Sequence, residues 1–176
     1  MIIYFLRHAS AGQSLLNAQK DDRRPLDEEG TLQARYIGRM LANLDVQVEQ
    51  VLSSPLKRSR QTASLVANEL AFEGAVQMDD ALRPQAQVGE FQALLARLRK
   101  NEAVMLVGHN PSMSEFLGKI ISGGSGAARI ELKKGAVAKV EIAGRSGILD
   151  WLVTPKIART LQSSRKRSSR PKTSRK

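Results

Sequence analysis

Residues 2–11 of the chain read IIYFLRHASA, an unbroken apolar run that ends in an arginine and a histidine. A strand that is covered on both faces of a mostly parallel sheet has such a continuous apolar sequence. A second run, AVMLVGHNPS at residues 103–112, ends in the same way at His109. The chain has 2 histidines, and each follows a predicted buried strand. Because ligands bind beyond the carboxyl ends of the strands in open α/β sheets, this placement predicts a site.

Strands and helices alternate along the rest of the sequence. Asp27 is positioned to cap a helix whose apolar residues, from Leu32 to Leu44, recur at helical spacing. Helices are predicted at residues 27–44, 55–70, 91–98 and from 110 onward; strands are predicted at 2–6, 48–52, 75–78, 104–107, 130–132, 137–142 and 148–153; and a long loop is predicted at 8–25. This pattern predicts an α/β sandwich with a mostly parallel central sheet and an antiparallel edge.

The net charge of +11 is concentrated near the end of the chain. Residues 156–176 contain nine Lys or Arg and no acidic residue, whereas residues 1–155 contain 19 Lys or Arg and 17 acidic residues. The terminal sequence has low complexity and no aromatic residue, which favours disorder and argues against a single-strand nucleic-acid module. We therefore expect one domain at residues 1–155 and a disordered basic tail at 156–176 that binds anions at most weakly.

The chain contains no cysteine, so the sequence excludes disulfides and metal sites built on thiolates. The apolar run at residues 2–6 is too short for a membrane span or for the core of a signal peptide, and it continues directly into Arg7. We expect a soluble, cytoplasmic and monomeric protein that binds neither a membrane nor a specific nucleic acid.

Arg58 lies in the stretch SSPLKRSRQTA, residues 53–63, where Pro55 is expected to begin a helix. Phosphoryl transfer depends largely on fixed positive donors around the equatorial oxygens and on an aligned nucleophile. An arginine offers a planar fork of such donors, and the free amides of a first helical turn also favour an anion. Nearby cations disfavour protonation of a histidine and keep its imidazole nucleophilic. The side chains expected around one phosphoryl group are Arg7, His8, Arg58 and His109.

Four short stretches occur in an order that is typical of one enzyme family. They are RHASA at residues 7–11, RPLDEEG at 24–30, SSPLKRSRQTA at 53–63 and VGHNPSMSEF at 107–116. Together they resemble the successive motifs of the histidine phosphatase superfamily, and in particular its small SixA-like phosphohistidine phosphatase branch. The resemblance covers most of residues 1 to about 153.

The resemblance implies a three-layer α/β/α sandwich of the phosphoglycerate mutase type, and the chain has no large insertion to cover the site. It implies that His8 is the phosphorylated nucleophile, that Arg7 and Arg58 bind the phosphoryl group, and that His109 completes the pocket. It implies neither a metal nor an organic cofactor.

Further residues bear on the site less directly. Arg24 and Ser10 lie in the predicted loop and are candidates for binding the substrate. The chain has no clear counterpart of the carboxylate that protonates the leaving oxygen in larger relatives, since Glu90 lies too far along a helix and Asp21 is only a candidate substitute. A phosphoramidate needs less help from an acid, because its P–N bond breaks readily once the nitrogen is protonated. The sequence therefore favours phosphohistidine over an alkyl phosphate ester.

Alternatives remain open at this point. The leading interpretation is a phosphatase that acts on phosphohistidine in a protein, since an open site suits a protein side chain better than an enclosed metabolite. A small phosphate ester or anhydride is the alternative substrate. A two-histidine metal site is disfavoured, because neither histidine has HxxxH spacing or an evident third ligand. A hypothesis from another class is a non-catalytic phosphate or nucleic-acid binding protein that uses the basic tail.

Overall fold

The apolar run at the start of the chain forms a strand in the middle of a mixed sheet. The computed structural model describes residues 1–14, 16–123, 128–144 and 146–168. Within them six strands form the sheet, namely Ile2–Arg7 (β1), Gln50–Ser53 (β2), Gln77–Met78 (β3), Ala103–Gly108 (β4), Val137–Ala143 (β5) and Ser146–Val153 (β6). Their order across the sheet is β3-β2-β4-β1-β5-β6.

The sheet is parallel on one side and antiparallel on the other. β1, β4, β2 and β3 pair in parallel, each with its neighbour in the sheet. β5 pairs antiparallel with β1, and β6 pairs antiparallel with β5 to form the last hairpin. The predicted α/β fold with a mostly parallel sheet and an antiparallel edge is confirmed.

Helices cover both faces of this sheet. In the described ranges they are Ala18–Asp22 (α1), Glu28–Asn43 (α2), Lys57–Glu69 (α3), Val88–Leu98 (α4), Ser112–Ile121 (α5) and Pro155–Ser168 (α6). One core contains apolar residues of α4 and α5, and the other contains apolar residues of α2, α3 and α6. The result is the three-layer sandwich that the resemblance implied. Within the described ranges no helix is both long and apolar enough to cross a membrane.

The side chains of β1 show how the sequence determines this layering. Ile3 and Phe5 are fully buried in the core beneath α4 and α5, whereas Tyr4 and Leu6 are buried in the core beneath α2 and α3. Successive side chains of a strand point to opposite faces, so a strand buried on both faces needs an unbroken apolar sequence. Arg7 ends this strand as its first charged residue.

The loop predicted at residues 8–25 and the predicted start of the second helix at Pro55 differ from the structure. The loop predicted at residues 8–25 contains the short helix α1, which the side chain of Asn17 caps by accepting a hydrogen bond from the Lys20 amide. Pro55 does not begin a helix directly, because α3 starts two residues later at Lys57. A side-chain cap fixes the start of α1, whereas Leu56, the residue before α3, makes no side-chain capping hydrogen bond.

Some apolar residues have surroundings other than those predicted. Residues 130–132 form no strand, although Leu132 is fully buried in the core beneath α4 and α5. Leu32 and Leu44 continue the helical spacing of α2 but are 52% and 55% exposed. The spacing of apolar residues identifies a helix, but the neighbouring elements decide how much of the apolar stripe is covered.

The first part of the predicted tail is folded. Ala158 of α6 is fully buried, and Nε2 of Gln162 donates a hydrogen bond of 2.8 Å to the carbonyl oxygen of Tyr36 on α2. The prediction that the chain is disordered from residue 156 is wrong for this helix, because packing against α2 stabilises a sequence whose composition favours disorder. Residues 169–176 of the predicted tail lie outside the described residues.

Gly30 of α2 touches the backbone of the loop that follows β1. A Cβ atom at Gly30 would lie 1.9 Å from the carbonyl oxygen of Ser10, and backbone cannot yield as a flexible side chain can. We expect Gly30→Ala to lower the free energy of unfolding by about 1 to 3 kcal/mol, the usual cost of overpacking. Urea unfolding followed by circular dichroism measures this change.

Gly89 of α4 provides the matched control. A Cβ atom there meets no atom within 4 Å, so Gly89→Ala should raise the free energy of unfolding by roughly 0.5 to 1 kcal/mol through helix propensity. Equal effects of the two substitutions would show that α2 does not approach the loop after β1 this closely.

Candidate active site

The register of β1 and β4 brings the two histidines together. The strands are parallel with Arg7 opposite Gly108, so His8 and His109 are the next residues beyond each strand. The His8 amide donates a hydrogen bond of 2.9 Å to the Gly108 carbonyl oxygen and extends the pairing. The centroids of the two imidazole rings are 4.8 Å apart, and the two residues are 6% and 2% exposed. These two predicted site residues are therefore neighbours.

The backbone holds His8 in one tautomer. Its Nδ1 atom lies 2.7 Å from the carbonyl oxygen of Ala9, and because a carbonyl oxygen only accepts, Nδ1 carries the hydrogen. In the neutral ring the lone pair is then on Nε2. The Ala9 amide donates to Oγ1 of Thr62 on α3 at 3.1 Å, which fixes the peptide after His8. His8 thus presents a nucleophilic nitrogen in a defined orientation.

Arg58 reaches the site from the first turn of α3. Its side chain is 5% exposed, and its Nη1 donates to the Asp21 carbonyl oxygen at 2.9 Å and lies 3.2 Å from the Asp21 Oδ2 atom. The other carboxylate oxygen of Asp21 accepts a hydrogen bond of 2.8 Å from Nε of Arg24. Asp21 therefore holds two guanidiniums in place. This geometry fits a positioning residue better than the leaving-group acid that the sequence left open for Asp21.

Arg7 is fixed by the segment before β5. Its Nη1 donates a hydrogen bond of 2.8 Å to the carbonyl oxygen of Leu132. The Gly135 amide donates to the carbonyl oxygens of Arg7 and His8 at 3.2 and 3.0 Å, and its φ of +70° lies in the left-handed region that glycine adopts without strain. The segment 131–135 is thus bound directly to the end of β1.

The four candidate side chains, Arg7, His8, Arg58 and His109, are called the histidine–arginine cluster below. Several of their polar atoms have no hydrogen-bond partner among the described residues. They are Nε of Arg7, Nε of Arg58 and Nδ1 of His109, and all three are buried. Buried polar groups are normally paired, and exceptions call for a functional explanation. A tetrahedral oxyanion beside these side chains would accept hydrogen bonds from the guanidinium atoms.

Burial and nearby cations keep both imidazoles neutral. Burial lowers the pKa of His8 to about 3, with further lowering by Arg58, Arg7 and Lys134, and the hydrogen bond to the Ala9 carbonyl opposes this shift only in part. Burial likewise lowers the pKa of His109, followed by its coulombic interaction with the neighbouring His8 ring and by the charge of Arg58. A neutral imidazole is the form that acts as a nucleophile. The expectation that surrounding cations keep His8 neutral agrees with this result, although burial is the larger cause.

Ser54 is a site residue that the sequence analysis missed. Its Oγ lies 2.9 Å from Nε2 of His109, and both residues are buried. Ser54 directly follows β2, and its amide donates to the Val107 carbonyl oxygen of β4. The parallel order of β2 and β4 brings the residues after the two strands together. The signal was therefore the position of Ser54 at a strand end, in the same stretch as Arg58.

Ser10 contacts the start of α2. Its Oγ donates to Oδ2 of Asp27 at 2.7 Å, and its amide donates to Oε1 of Gln33 at 2.9 Å. Asp27 also caps α2 by accepting a hydrogen bond from the Gly30 amide, as predicted. These contacts give Ser10 a structural role, and its binding of a substrate stays a prediction.

Arg24 and Glu90 also have local partners. Arg24 lies beside Asp21 and donates hydrogen bonds through Nη1 to the carbonyl oxygens of Ala11 and Gly12. Its contribution to substrate binding stays a prediction. Glu90 belongs to the capping box of α4, where its carboxylate accepts a hydrogen bond of 2.6 Å from the Gln87 amide.

The two depressed histidine pKa values predict a loss of stability in mild acid. In the unfolded chain each imidazole takes up a proton below about pH 6.5, whereas the folded protein keeps both neutral until much lower pH. Between pH 6.5 and 5 the free energy of unfolding should therefore fall as the pH falls, by at most about 1.4 kcal/mol per pH unit for each histidine. Urea unfolding at a series of pH values measures the slope.

Single replacements separate the histidines from other titrating groups. His8→Gln and His109→Gln should each reduce this slope, since each variant lacks one of the protons taken up on unfolding. If both variants keep the slope of the original protein, the imidazoles are not held neutral by the fold.

A family model described as the Histidine phosphatase superfamily (branch 1) matches residues 3–94. An uncharacterized protein of Picosynechococcus sp. is 34% identical over 140 residues, which cover 78% of this chain and 82% of that protein. The phosphohistidine phosphatase SixA of Escherichia coli is 26% identical over 158 residues, which cover 88% of this chain and 94% of SixA.

A solved structure agrees with these sequence matches. The protein histidine phosphatase SixA complexed with tungstate has a TM-score of 0.78 and 25% sequence identity to this chain, and the match covers 89% of this chain and 98% of that one. The matched family region contains His8 and both guanidinium groups of the cluster, Arg7 and Arg58. The chain therefore belongs to the histidine phosphatase superfamily.

Proposed function

We propose that this protein is a phosphatase that removes the phosphoryl group from phosphohistidine in a protein substrate. The observation that carries the proposal is the placement of His8, whose Nδ1 is bound to a backbone carbonyl and whose pKa is lowered by burial and by the charges of Arg58 and Arg7. Phosphatase activity is supported by the superfamily match and by the SixA relative. The phosphohistidine substrate and the covalent intermediate are our proposals.

The first step transfers the phosphoryl group to His8. Nε2 attacks the phosphorus atom in line with the leaving imidazole, and the new N–P bond forms as the substrate P–N bond breaks. The bonding electron pair returns to the leaving ring nitrogen, while the other nitrogen of that ring carries a proton from solvent, so a neutral imidazole departs. The negative charge on the equatorial oxygens is stabilised by Arg7, Arg58 and His109. Because these groups are held by the backbone and Asp21, little reorganisation is required.

The second step regenerates the enzyme. A water molecule attacks the phosphorus atom, the bond from phosphorus to Nε2 of His8 breaks, and the electron pair returns to the imidazole. The water gives up one proton to the surrounding solvent as inorganic phosphate forms. The hydrogen bond between Nδ1 and the Ala9 carbonyl persists in both steps, so His8 returns to the same tautomer.

The contacts of the nearby carboxylates support a phosphoramidate substrate. Both carboxylate oxygens of Asp21 bind guanidiniums, and Glu90 caps a helix. An alkoxide leaving group needs a proton from an acid, whereas an imidazole leaves readily once it is protonated by solvent. The site is therefore better suited to a P–N bond than to an alkyl ester. The name of the SixA relative agrees with this choice.

We further propose that the protein acts in the cytoplasm as a monomer with one catalytic domain. A chain without cysteine needs no disulfide to fold and is therefore compatible with the reducing cytoplasm. The contacts between α6 and α2 support a domain that extends beyond residue 155.

The covalent step predicts a trapped intermediate on His8. Rapid quenching with a phosphohistidine peptide labelled on its phosphoryl group should give a protein adduct that is stable in base and labile in acid. His8→Ala should form no adduct, because the attacking nitrogen is gone. His109→Ala removes the other imidazole of the pair and should still form the adduct, more slowly. Labelling that persists in His8→Ala would overturn the assignment of the nucleophile.

The choice of substrate predicts a ranking of rates. We expect kcat/KM for a phosphohistidine peptide to exceed kcat/KM for sugar phosphates and for phosphoserine peptide by at least about 100-fold, the typical contribution of general acid catalysis that an ester requires. Steady-state release of inorganic phosphate from the three substrates measures this ranking. A higher kcat/KM for a sugar phosphate would favour the small-ester alternative instead.

A further inference from the structure

A basic groove lies directly beside the candidate active site. Its volume is about 760 Å³, and its walls come from the start of α2, the segment 131–134 and the start of α6. Arg7 belongs both to this groove and to the histidine–arginine cluster. A chain that lies in the groove therefore reaches the phosphoryl-binding side chains.

The groove carries an excess of positive charge. Its basic side chains are Arg7, Lys133, Lys134, Lys156 and Arg159, and its acidic side chains are Glu29 and Glu131. Apart from Arg7, the basic residues of the groove are exposed, and within the described part of the chain none of these four forms an ion pair. They are thus available to a partner.

The groove is fixed relative to His8. The Gly135 amide donates hydrogen bonds to the carbonyl oxygens of Arg7 and His8. The preceding residue, Lys134, is therefore held next to the end of β1. The charge of Lys134 lowers the pKa of His8 slightly, after the larger effects of burial, Arg58 and Arg7. The other wall is held by the buried Ala158 and by the hydrogen bond from Gln162 to α2.

We propose that this groove binds an acidic segment of the phosphoprotein substrate next to its phosphohistidine. The inference rests on the proposed function and specifies its partner. A protein substrate must extend beyond the residue that carries the phosphoryl group, and the groove, which Arg7 also lines, offers complementary charge to such a chain. Charges arranged in this way raise the rate of association and select partners more than they raise affinity at high salt.

The test compares two charge reversals with the same spacing. The first is Lys156→Glu with Arg159→Glu on α6 in the groove. The second is Lys57→Glu with Arg60→Glu on α3, which lines a separate groove of about 650 Å³. All four side chains are exposed and lie near the start of a helix. The two double variants therefore change the net charge by the same amount and at similar helix positions.

Each protein is assayed with free phosphohistidine and with two phosphohistidine peptides of equal length, one flanked by glutamates and one by glutamines. The measured quantity is kcat/KM for the acidic peptide divided by kcat/KM for free phosphohistidine, at low and at high salt. The α6 variant should lower this ratio about tenfold at low salt, and its kcat with free phosphohistidine should be unchanged. The α3 variant and the glutamine peptide should show a change of less than about threefold.

Binding of the unphosphorylated acidic peptide, measured by fluorescence anisotropy, gives a readout that does not depend on turnover. The α6 variant should weaken this binding, and the α3 variant should not. Equal losses in both variants would attribute the effect to net charge and overturn the groove proposal, as would tighter binding of a single-stranded oligonucleotide of equal charge. If the original protein hydrolyses neither free phosphohistidine nor either phosphohistidine peptide, the proposed function fails, while the anisotropy result still decides whether the groove binds acidic chains.

Discussion

The parallel register between β1 and β4 is the constraint on which the candidate active site depends. It sets Arg7 opposite Gly108, the last residues of the two strands, so the residue that follows each strand is a histidine. A shift of one residue would move a side chain about 3.3 Å along the strand and turn it to the other face of the sheet. Gly108 helps to fix the end of β4, because a Cβ atom there would lie 2.7 Å from Sδ of Met113 and 3.0 Å from the carbonyl oxygen of Leu82. Backbone pairing between the two strands thus holds the imidazoles close to each other.

The same packing creates an electrostatic cost within the folded protein. Two imidazoles and a guanidinium are nearly removed from water, and three of the nitrogen atoms in the cluster have no partner in the described ranges. Keeping both histidines neutral avoids most of this cost, because an uncharged ring is far easier to bury than a charged one. The guanidiniums stay charged, and Asp21 and the backbone carbonyls satisfy part of their donors. The donors that remain unpaired can bind a phosphoryl group. They lower the stability of the folded protein as long as no such group is bound.

The sequence predicted those parts of the fold and site that have local signals. Unbroken apolar runs indicated the strands β1 and β4, and a histidine at the end of each run indicated the site because strand ends converge in this fold class. The contacts that fix the side chains could not be read in this way. Asp21 and Arg58 are 37 residues apart, and Arg7 and Leu132 are 125 residues apart, so only the tertiary structure pairs them. The helix α6 was missed for a related reason, since its composition is that of a basic tail and its stability comes from α2.

Net charge is a poor guide to the field around this site, because the distribution of charge in space differs from its distribution in sequence. Residues 1–155 contain nearly equal numbers of basic and acidic residues, yet the fold gathers Arg7, Arg58 and Lys134 around His8. Asp21 is paired with Arg58 and Arg24 and orients both guanidiniums. The first residues of the basic terminal segment then fold back as α6 and extend the positive surface from Arg7 along the groove. A strongly basic end of the chain thus places positive charge beside the candidate site, which composition alone could not have indicated.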